Sequence, residues 1–273
     1  MSRTAQEEYE HYEIEKELAA QLLNSKKEDR CHLYTEVYDQ LFLRVPHHPM
    51  LTLKQCPSIK EDSVNGQVRL LKNFVKPSDT YLEVGPGDCS VAIKICDLVS
   101  KVYAVDVSEE LTKGAVKRDN FELIISDGTS IPVPPNSVNV VFSNQLMEHL
   151  HPDDAVEQLR NIYNALVVGG TYLCITPNST SGPHDISRNY NDVAEGFHLK
   201  EYNYKELSVA FREAGFSKVK VNLSAKGIAV KLPVFPFIWL ESFLWMLPGK
   251  LRKRVSRQFL IDKLLGIDMI GEK

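Results

Sequence analysis

Thr80-Tyr81-Leu82-Glu83-Val84-Gly85-Pro86-Gly87-Asp88-Cys89-Ser90 is the stretch that decides the fold of this chain. Tyr81, Leu82 and Val84 form a short apolar run that stops at Gly85-Pro86-Gly87, and an apolar helical pattern (Val91, Ala92, Ile95, Val99) starts directly afterwards. That is strand, glycine turn, helix. Such a turn lets a ligand approach bare backbone and aims the first amides of the helix at it. In an open parallel sheet the ligand lies beyond the carboxyl ends of the strands. A lone glycine turn can also serve merely to reverse the chain, and Cys89 stands where a dinucleotide fold carries a third glycine. Glu83 sharpens the reading, because an acid ending an apolar strand repels a pyrophosphate and attracts a ligand carrying an ammonium group.

Downstream the pattern repeats. Lys101 to Val105 reads as a second strand ending in Asp106, which lies 19 residues beyond Gly87. That is close to the spacing of about 20 at which a strand-end acid meets a ribose hydroxyl pair. Asp106 and Ser108 also precede a helical pattern around Leu111 to Val116, so a plain cap is the competing role. Phe121 to Ile125 is a third strand followed by Ser126-Asp127-Gly128, so three consecutive strands end in carboxylates. Val138 to Phe142 is the fourth strand, leading into Ser143-Asn144-Gln145-Leu146-Met147-Glu148-His149-Leu150. A helix with Pro152 in its first turn and Asp153 and Asp154 behind it is expected to end at Gly169-Gly170, before a fifth strand at Thr171 to Ile175. Ser179 to Tyr202 is a long loop dense in ionisable and aromatic groups, among them His184 and His198, and is the expected substrate-facing wall. Asn203 with Glu206 forms a capping box for a late helix. Phe216 to Leu223 and Ile228 to Leu232 are two last strands joined at Ala225-Lys226-Gly227.

Upstream, Ala5 to Leu23 and Arg30 to Leu43 carry helical apolar spacing. Val45-Pro46-His47-His48-Pro49 breaks the pattern. His47 and His48 there are either substrate or metal contacts or ordinary surface residues. Ser63 to Asn73 is a further helix leading into the first strand. The chain therefore divides into an N-terminal helical cap (1–59), a ligand-binding domain (60–232) and a C-terminal helical extension (233–273). The extension is apolar and aromatic up to Leu247 and then basic, with Lys250, Arg252, Lys253, Arg254 and Arg257. It is too short and too interrupted by proline to span a membrane. It reads as a pocket lid or homodimer surface, or as a peripheral anchor on anionic lipid.

With 273 residues, 43% hydrophobic and 25% charged, the composition is that of an ordinary globular protein, and a net charge of −4 gives no case for nucleic acid as partner. Cys31, Cys56, Cys89, Cys96 and Cys174 make no Cys-x-x-Cys pair. Together with the polar N-terminus this points to a reducing, cytoplasmic location. No carboxylate and histidine spacing argues for a catalytic metal, and none is expected.

Taken together, these motifs resemble the class I S-adenosylmethionine-dependent methyltransferases. Leu82 to Asp88 matches the first motif, Val105-Asp106-Val107-Ser108 the second and Ser126-Asp127-Gly128 the third. Val140 to Leu150, Leu166 to Thr171, and His198 to Tyr202 with Ala214-Gly215-Phe216 match the later ones. The resemblance covers roughly residues 60–232. It implies an α/β, Rossmann-like fold whose sheet has seven strands, mostly parallel with one antiparallel. It implies S-adenosyl-L-methionine as cofactor. Glu83 and the Gly85 to Gly87 backbone would hold the methionine part, Asp106 with Val107 the ribose, and Asp127 with Gly128 the adenine amine, with Asn144 at the methionine end. Methyl transfer to a small-molecule or glycan acceptor, at oxygen, is the expected activity. A hydroxyl acceptor needs a general base, for which His149 is first candidate and His184 and His198 are next. A lipid or quinone acceptor, a non-catalytic nucleoside-binding subunit and a nicotinamide-dependent oxidoreductase are the alternatives, the last disfavoured by Glu83 and Cys89.

Overall fold

The computed structural model describes residues 3–48, 57–108, 112, 118–225 and 228–273. The helix expected around Leu111 to Val116, together with Pro49, Cys56 and the Lys226-Gly227 turn, lies outside the described residues. Two helices come first, α1 (Ala5–Leu23) and α2 (Lys27–Arg44), the former opened by a capping box between Thr4 and Glu7. They are followed by α3 (Pro57–Leu71), β1 (Thr80–Val84), α4 (Ser90–Ile95), β2 (Lys101–Asp106), β3 (Phe121–Ile125) and β4 (Val138–Asn144). A short 3-10 turn at Met147–His149 precedes α5 (Pro152–Ala165) and β5 (Leu166–Thr176). The chain continues through α6 (Tyr204–Glu213), β6 (Lys218–Ala225), β7 (Ile228–Pro233), α7 (Phe235–Trp245), α8 (Gly249–Ser256), α9 (Phe259–Leu265) and β8 (Ile267–Glu272).

Among the described residues the sheet has eight strands in the order β3-β2-β1-β4-β5-β8-β6-β7. Strands β1 to β5 are mutually parallel, and β8 runs antiparallel to both β5 and β6. The mostly parallel α/β sheet expected from sequence is therefore present, with one strand more and with two strands, β7 and β8, running against the rest where one was expected. The difference lies at the C-terminus: residues 267–272, expected within a helical extension, form the strand that joins β6 to β5. β7 pairs with β6 alone, as an edge. Helices α7 to α9 are thus an insertion between two strands of the sheet.

Helices cover both faces, which is why the central strands are apolar on both sides. Side chains alternate along β1. Leu82 and Val84 face the larger core, with Leu159 and Ile162 of α5 and Leu207 and Phe211 of α6. Tyr81 faces the other, with Leu71 of α3 and Val91, Ala92 and Ile95 of α4. Glu83 falls on that second face, against the tyrosine.

Two local expectations change. Gly169-Gly170 does not end α5, which stops at Ala165 with Leu166 as its C-cap. Both glycines sit inside β5, where Gly169 adopts φ 81° and the β4–β5 register shifts. A Cβ on Gly170 would lie 2.9 Å from the Val167 carbonyl oxygen, so the close backbone approach requires glycine there. His48, read as either contact or surface, is buried against His11 and Glu15.

Candidate active site

At the carboxyl edge of β1 to β3, where open parallel sheets bind their ligands, the structure forms a cleft. Its floor is Val84 and Gly85 from the first turn and Val105, Asp106 and Val107 from the end of β2; Ser126, Gly128 and Ser130 close one side. Gly85 has φ 68°, and a Cβ there would stand 2.9 Å from Leu146 Cδ1, another lining residue. Gly87 (φ 57°) and Cys89 (φ 60°) are also left-handed. Cys89 therefore occupies a glycine-like conformation at a cost of about 1–2 kcal/mol, while its side chain is fully buried in the core under α4.

Asp106 holds this floor together. Its Oδ2 accepts from the Gly87 amide at 3.2 Å and its Oδ1 from the Ser108 amide at 3.0 Å. Burial nevertheless outweighs these amides and raises its pKa. Glu83 is buried behind the turn, with the Tyr81 hydroxyl donating to it at 3.2 Å. Burial, reinforced by repulsion from Asp88 and Asp106, pushes its pKa up to about 8.

Of the residues expected to hold a cofactor, Gly85, Asp106, Val107 and Gly128 line the cleft, and His149 lines it from the opposite wall. Glu83, Gly87, Asp127 and Asn144 do not. The Asp127 carboxylate is committed to its own turn: Oδ1 accepts from the amides of Thr129 (2.9 Å) and Ser130 (2.7 Å), and Oδ2 from the Ser130 hydroxyl (2.7 Å). These donors outweigh its desolvation and hold its pKa down at about 2. Asp127 thus shapes the loop that presents Gly128. Asn144 closes β4 immediately before Gln145, which has φ 53° and reaches a second cavity.

The cleft's roof, Tyr34 and Tyr38 of α2, is not among the site residues expected from sequence. The Tyr34 hydroxyl donates to Asp154 (2.9 Å) and accepts from the His151 amide (2.8 Å). Arg30, one turn earlier, forms two bonds to the same carboxylate at 2.6 and 2.7 Å. Gln158 reaches from α5 to the Gly128 carbonyl at 2.6 Å. An aromatic stripe at helical spacing was the available signal, but it does not say which surface it covers.

The second cavity, with about 960 Å³ of empty space, opens beyond β4, β5 and β8. Gln145, Thr176, His184, His198 and Asp268 give it a polar wall. Asp268 Oδ2 accepts from Asn222 (2.6 Å), while its buried Oδ1 has no partner among the described residues. The 179–202 loop is braced here by α1, through Tyr12 to Glu195 (2.6 Å) and a Tyr12–Tyr190 stack (4.7 Å).

The three histidines differ in surroundings. His149 Nδ1 lies 2.9 Å from the Phe197 carbonyl, so this nitrogen carries the proton. Burial pushes its pKa down to about 3, leaving a neutral ring. His198 Nδ1 lies 2.7 Å from Glu201 Oε1. Against the opposing effect of burial, that bond and the nearby Glu148 raise its pKa. The two rings meet edge to face at 5.0 Å, and through them the two cavities adjoin. His184 Nε2 sits between Ser181 Oγ (3.0 Å) and the Asn178 carbonyl (3.1 Å), a brace of the loop.

Residues 82–174 match the family model described as a methyltransferase domain. The chain is 31% identical to the "Probable S-adenosylmethionine-dependent methyltransferase" of Mycolicibacterium smegmatis over 50% of this chain and 51% of that protein. It is 27% identical to the ribosomal protein L11 methyltransferase of Staphylococcus epidermidis over 52% of this chain and 43% of that one. The chain thus spans about half the length of the curated relatives it matches. Among solved structures, a SAM-dependent methyltransferase of Archaeoglobus fulgidus superposes with TM-score 0.53 at 17% identity, over 78% of this chain and 94% of that one. The phosphoethanolamine N-methyltransferase 2 of Haemonchus contortus, in complex with phosphomonomethylethanolamine and S-adenosylhomocysteine, gives 0.53 at 18% identity over 77% and 53%. These two likenesses show the fold.

Proposed function

We propose, from the premise that the chain belongs to the class I S-adenosylmethionine-dependent methyltransferases through its residues 82–174, that it methylates a hydroxylated small molecule or glycan at oxygen. The cofactor's sulfonium makes the methyl group electrophilic when bound; the chain's own residues supply alignment and an enclosed site. Asp106 and the Gly85 to Gly87 turn would receive the cofactor's ribose and methionine part, and Tyr34 and Tyr38 would close over it. The observation that carries the acceptor class is the polar second cavity adjoining the cleft through His149 and His198, with Thr176, His184 and Asp268 in its wall. A quinone or acyl chain would leave such groups unpaired. His149 and His198 stand where the acceptor's proton would be handled; the bonds of His184 to its own loop support a bracing role. The buried, unpaired Cys89, Cys96 and Cys174 fit a cytoplasmic setting.

Calorimetric titration of S-adenosylmethionine and S-adenosylhomocysteine, beside an Asp106→Ala variant and an NADH control, tests the cofactor. Micromolar binding that drops about 10- to 100-fold in the variant, as for loss of a charge-assisted bond of about 1.5–3 kcal/mol, is expected. NADH should give no heat. Transfer of labelled methyl from the cofactor to pooled hydroxylated metabolites and glycans then tests the acceptor; label appearing only in lipid extracts would overturn the polar-acceptor reading.

A second contact is supported by the insertion α7 to α9. No helix among the described residues is long and apolar enough to cross a membrane. Yet Trp239 is 70% exposed and Phe259 79%, beside the basic α8. We propose that this face rests on anionic lipid. Sedimentation with phosphatidylglycerol vesicles but not phosphatidylcholine, abolished by Trp239→Asp, is expected. A concentration-dependent dimer that ignores both vesicles would assign the face to a second copy instead.

A further inference from the structure

We propose that Glu148, His149 and His198 bind a divalent transition-metal ion at the junction of the two cavities. One donor atom from each residue lies within 4.8 Å of the other two. Three donors bonded at about 2.1 Å to a tetrahedral ion stand about 3.4 Å apart, so closure asks for side-chain movements of up to roughly an ångström.

The surroundings favour an ion over a closed hydrogen-bond cluster. Each histidine has its Nδ1 already engaged, His149 with the Phe197 carbonyl at 2.9 Å and His198 with the Glu201 carboxylate at 2.7 Å. Nδ1–H bonded to a carbonyl or carboxylate orients an imidazole so that Nε2 presents its lone pair to a metal. Glu148 Oε2 is held by the Thr176 hydroxyl at 2.9 Å, while Oε1 is buried with no partner among the described residues. The Glu148 carbonyl accepts from the Lys200 amide at 3.1 Å, fixing the turn of Glu148 and His149 against the segment of His198. A buried carboxylate oxygen left unpaired is costly unless a cation completes it.

A second His/Glu group among the described residues makes the contrast. His11, Glu15 and His48 have the same composition, but Arg3 donates to His11 Nδ1 at 2.8 Å. A guanidinium cannot accept, so His11 Nε2 carries the proton and gives it to Glu15 at 2.6 Å. That group is satisfied as a hydrogen-bond cluster.

Two imidazoles and one carboxylate suit Zn²⁺, Co²⁺, Fe²⁺ or Mn²⁺ and leave coordination positions open. The role follows only if the methyltransferase reading holds. With the ion bound, the two histidines serve as its ligands instead of as bases, and an acceptor hydroxyl on the ion would have a lowered pKa and lose its proton to water. Its oxygen would then bond to the methyl carbon as the cofactor's S–CH₃ bond breaks, releasing S-adenosylhomocysteine.

The test is titration of Co²⁺ alone into chelator-stripped full chain, read by visible absorption and calorimetry, with S-adenosylhomocysteine titrated into the same samples. One Co²⁺ per chain is expected, weakened at least tenfold by Glu148→Gln or His198→Ala. Glu201→Gln, which keeps all three ligands and loosens one, should weaken it about 10- to 100-fold. His48→Ala should leave uptake unchanged. Retained S-adenosylhomocysteine binding shows that each variant is folded. Cofactor binding without stoichiometric Co²⁺ uptake by the unmodified chain overturns the metal site and spares the methyltransferase reading. Uptake lost in His48→Ala but kept in the Glu148 and His198 variants overturns it equally. Co²⁺ uptake lost in those two variants but kept in His48→Ala, with unchanged far-ultraviolet circular dichroism and no cofactor binding by the unmodified chain, supports the site and overturns the methyltransferase reading.

Discussion

At the scale of single residues, Glu83, buried behind the glycine turn, carries the clearest pH-dependent consequence. Its carboxyl is buried, and the pKa of about 8 means that the unliganded protein holds it protonated at neutral pH. In the unfolded chain it ionises near the ordinary value, so between about pH 5 and 8 the folded state carries the extra proton and stability falls as pH rises. A cationic ligand reverses the preference, because it favours the carboxylate. S-adenosylmethionine should therefore bind with release of a proton, and its affinity should rise between pH 6 and 7.5 by up to tenfold per unit. Glu83→Gln should abolish that dependence, checked by calorimetry in buffers of different ionisation heat; a flat wild-type profile would make Glu83 purely a core residue. Strand-end acids are legible in sequence, since each interrupts an apolar run. What each carboxylate does is less so: Asp106 and Asp127 look equivalent on paper, yet one supports the cleft floor and the other is absorbed by Thr129 and Ser130.

At the scale of elements, the roof of the cleft depends on one anchor between α2 and α5. The side chains of Arg30 and Asp154 are 4% and 2% exposed and joined by two bonds, with the Tyr34 hydroxyl on the same carboxylate. Such a pair adds little over an apolar replacement of both partners, but removing one leaves a buried charge uncompensated. Asp154→Ala should cost about 3–5 kcal/mol in urea unfolding and weaken cofactor binding as α2 loosens. The double variant Arg30→Met/Asp154→Leu should recover much of the stability. Helices α1 and α2 were readable from spacing, and α5 and α6 from their first-turn signals, because those signals are local. That α2 covers the ends of β1 to β3 was not readable, since nothing in a tyrosine stripe names its partner. Gly169-Gly170 failed for a related reason: glycine ends helices and permits bulges alike, and only the register with β4 decides.

At the scale of the whole molecule, the sheet is complete only when the chain's last strand enters it. β8 fills the gap between β5 and β6, and its backbone passes so close to α6 and the turn after it that a Cβ on Gly271 would lie 2.6 Å from Phe216 Cδ1 and 2.7 Å from Phe211 Cδ1. Gly271→Ala should therefore overpack this layer and cost about 1–3 kcal/mol, seen as a lower midpoint in thermal unfolding. The sequence conceals the strand, because Ile267-Asp268-Met269-Ile270-Gly271-Glu272 is short, mixes charge with glycine and follows three helices. Its partners lie about a hundred positions back in β5 and about fifty in β6, beyond the reach of any local pattern. Ile267, Met269 and Ile270 are at most 1% exposed, and burying each contributes about 1.5–3 kcal/mol. That sum alone approaches the roughly 5–15 kcal/mol by which a domain is stable, before the lost ladder bonds to β5 and β6 are counted. Truncation after Gly266 should accordingly leave no cooperative unfolding transition and no cofactor binding. Adding the peptide 267–273 in trans during refolding should restore both in proportion to its concentration; a truncated chain that still melts cooperatively would show that β5 and β6 close on each other without it.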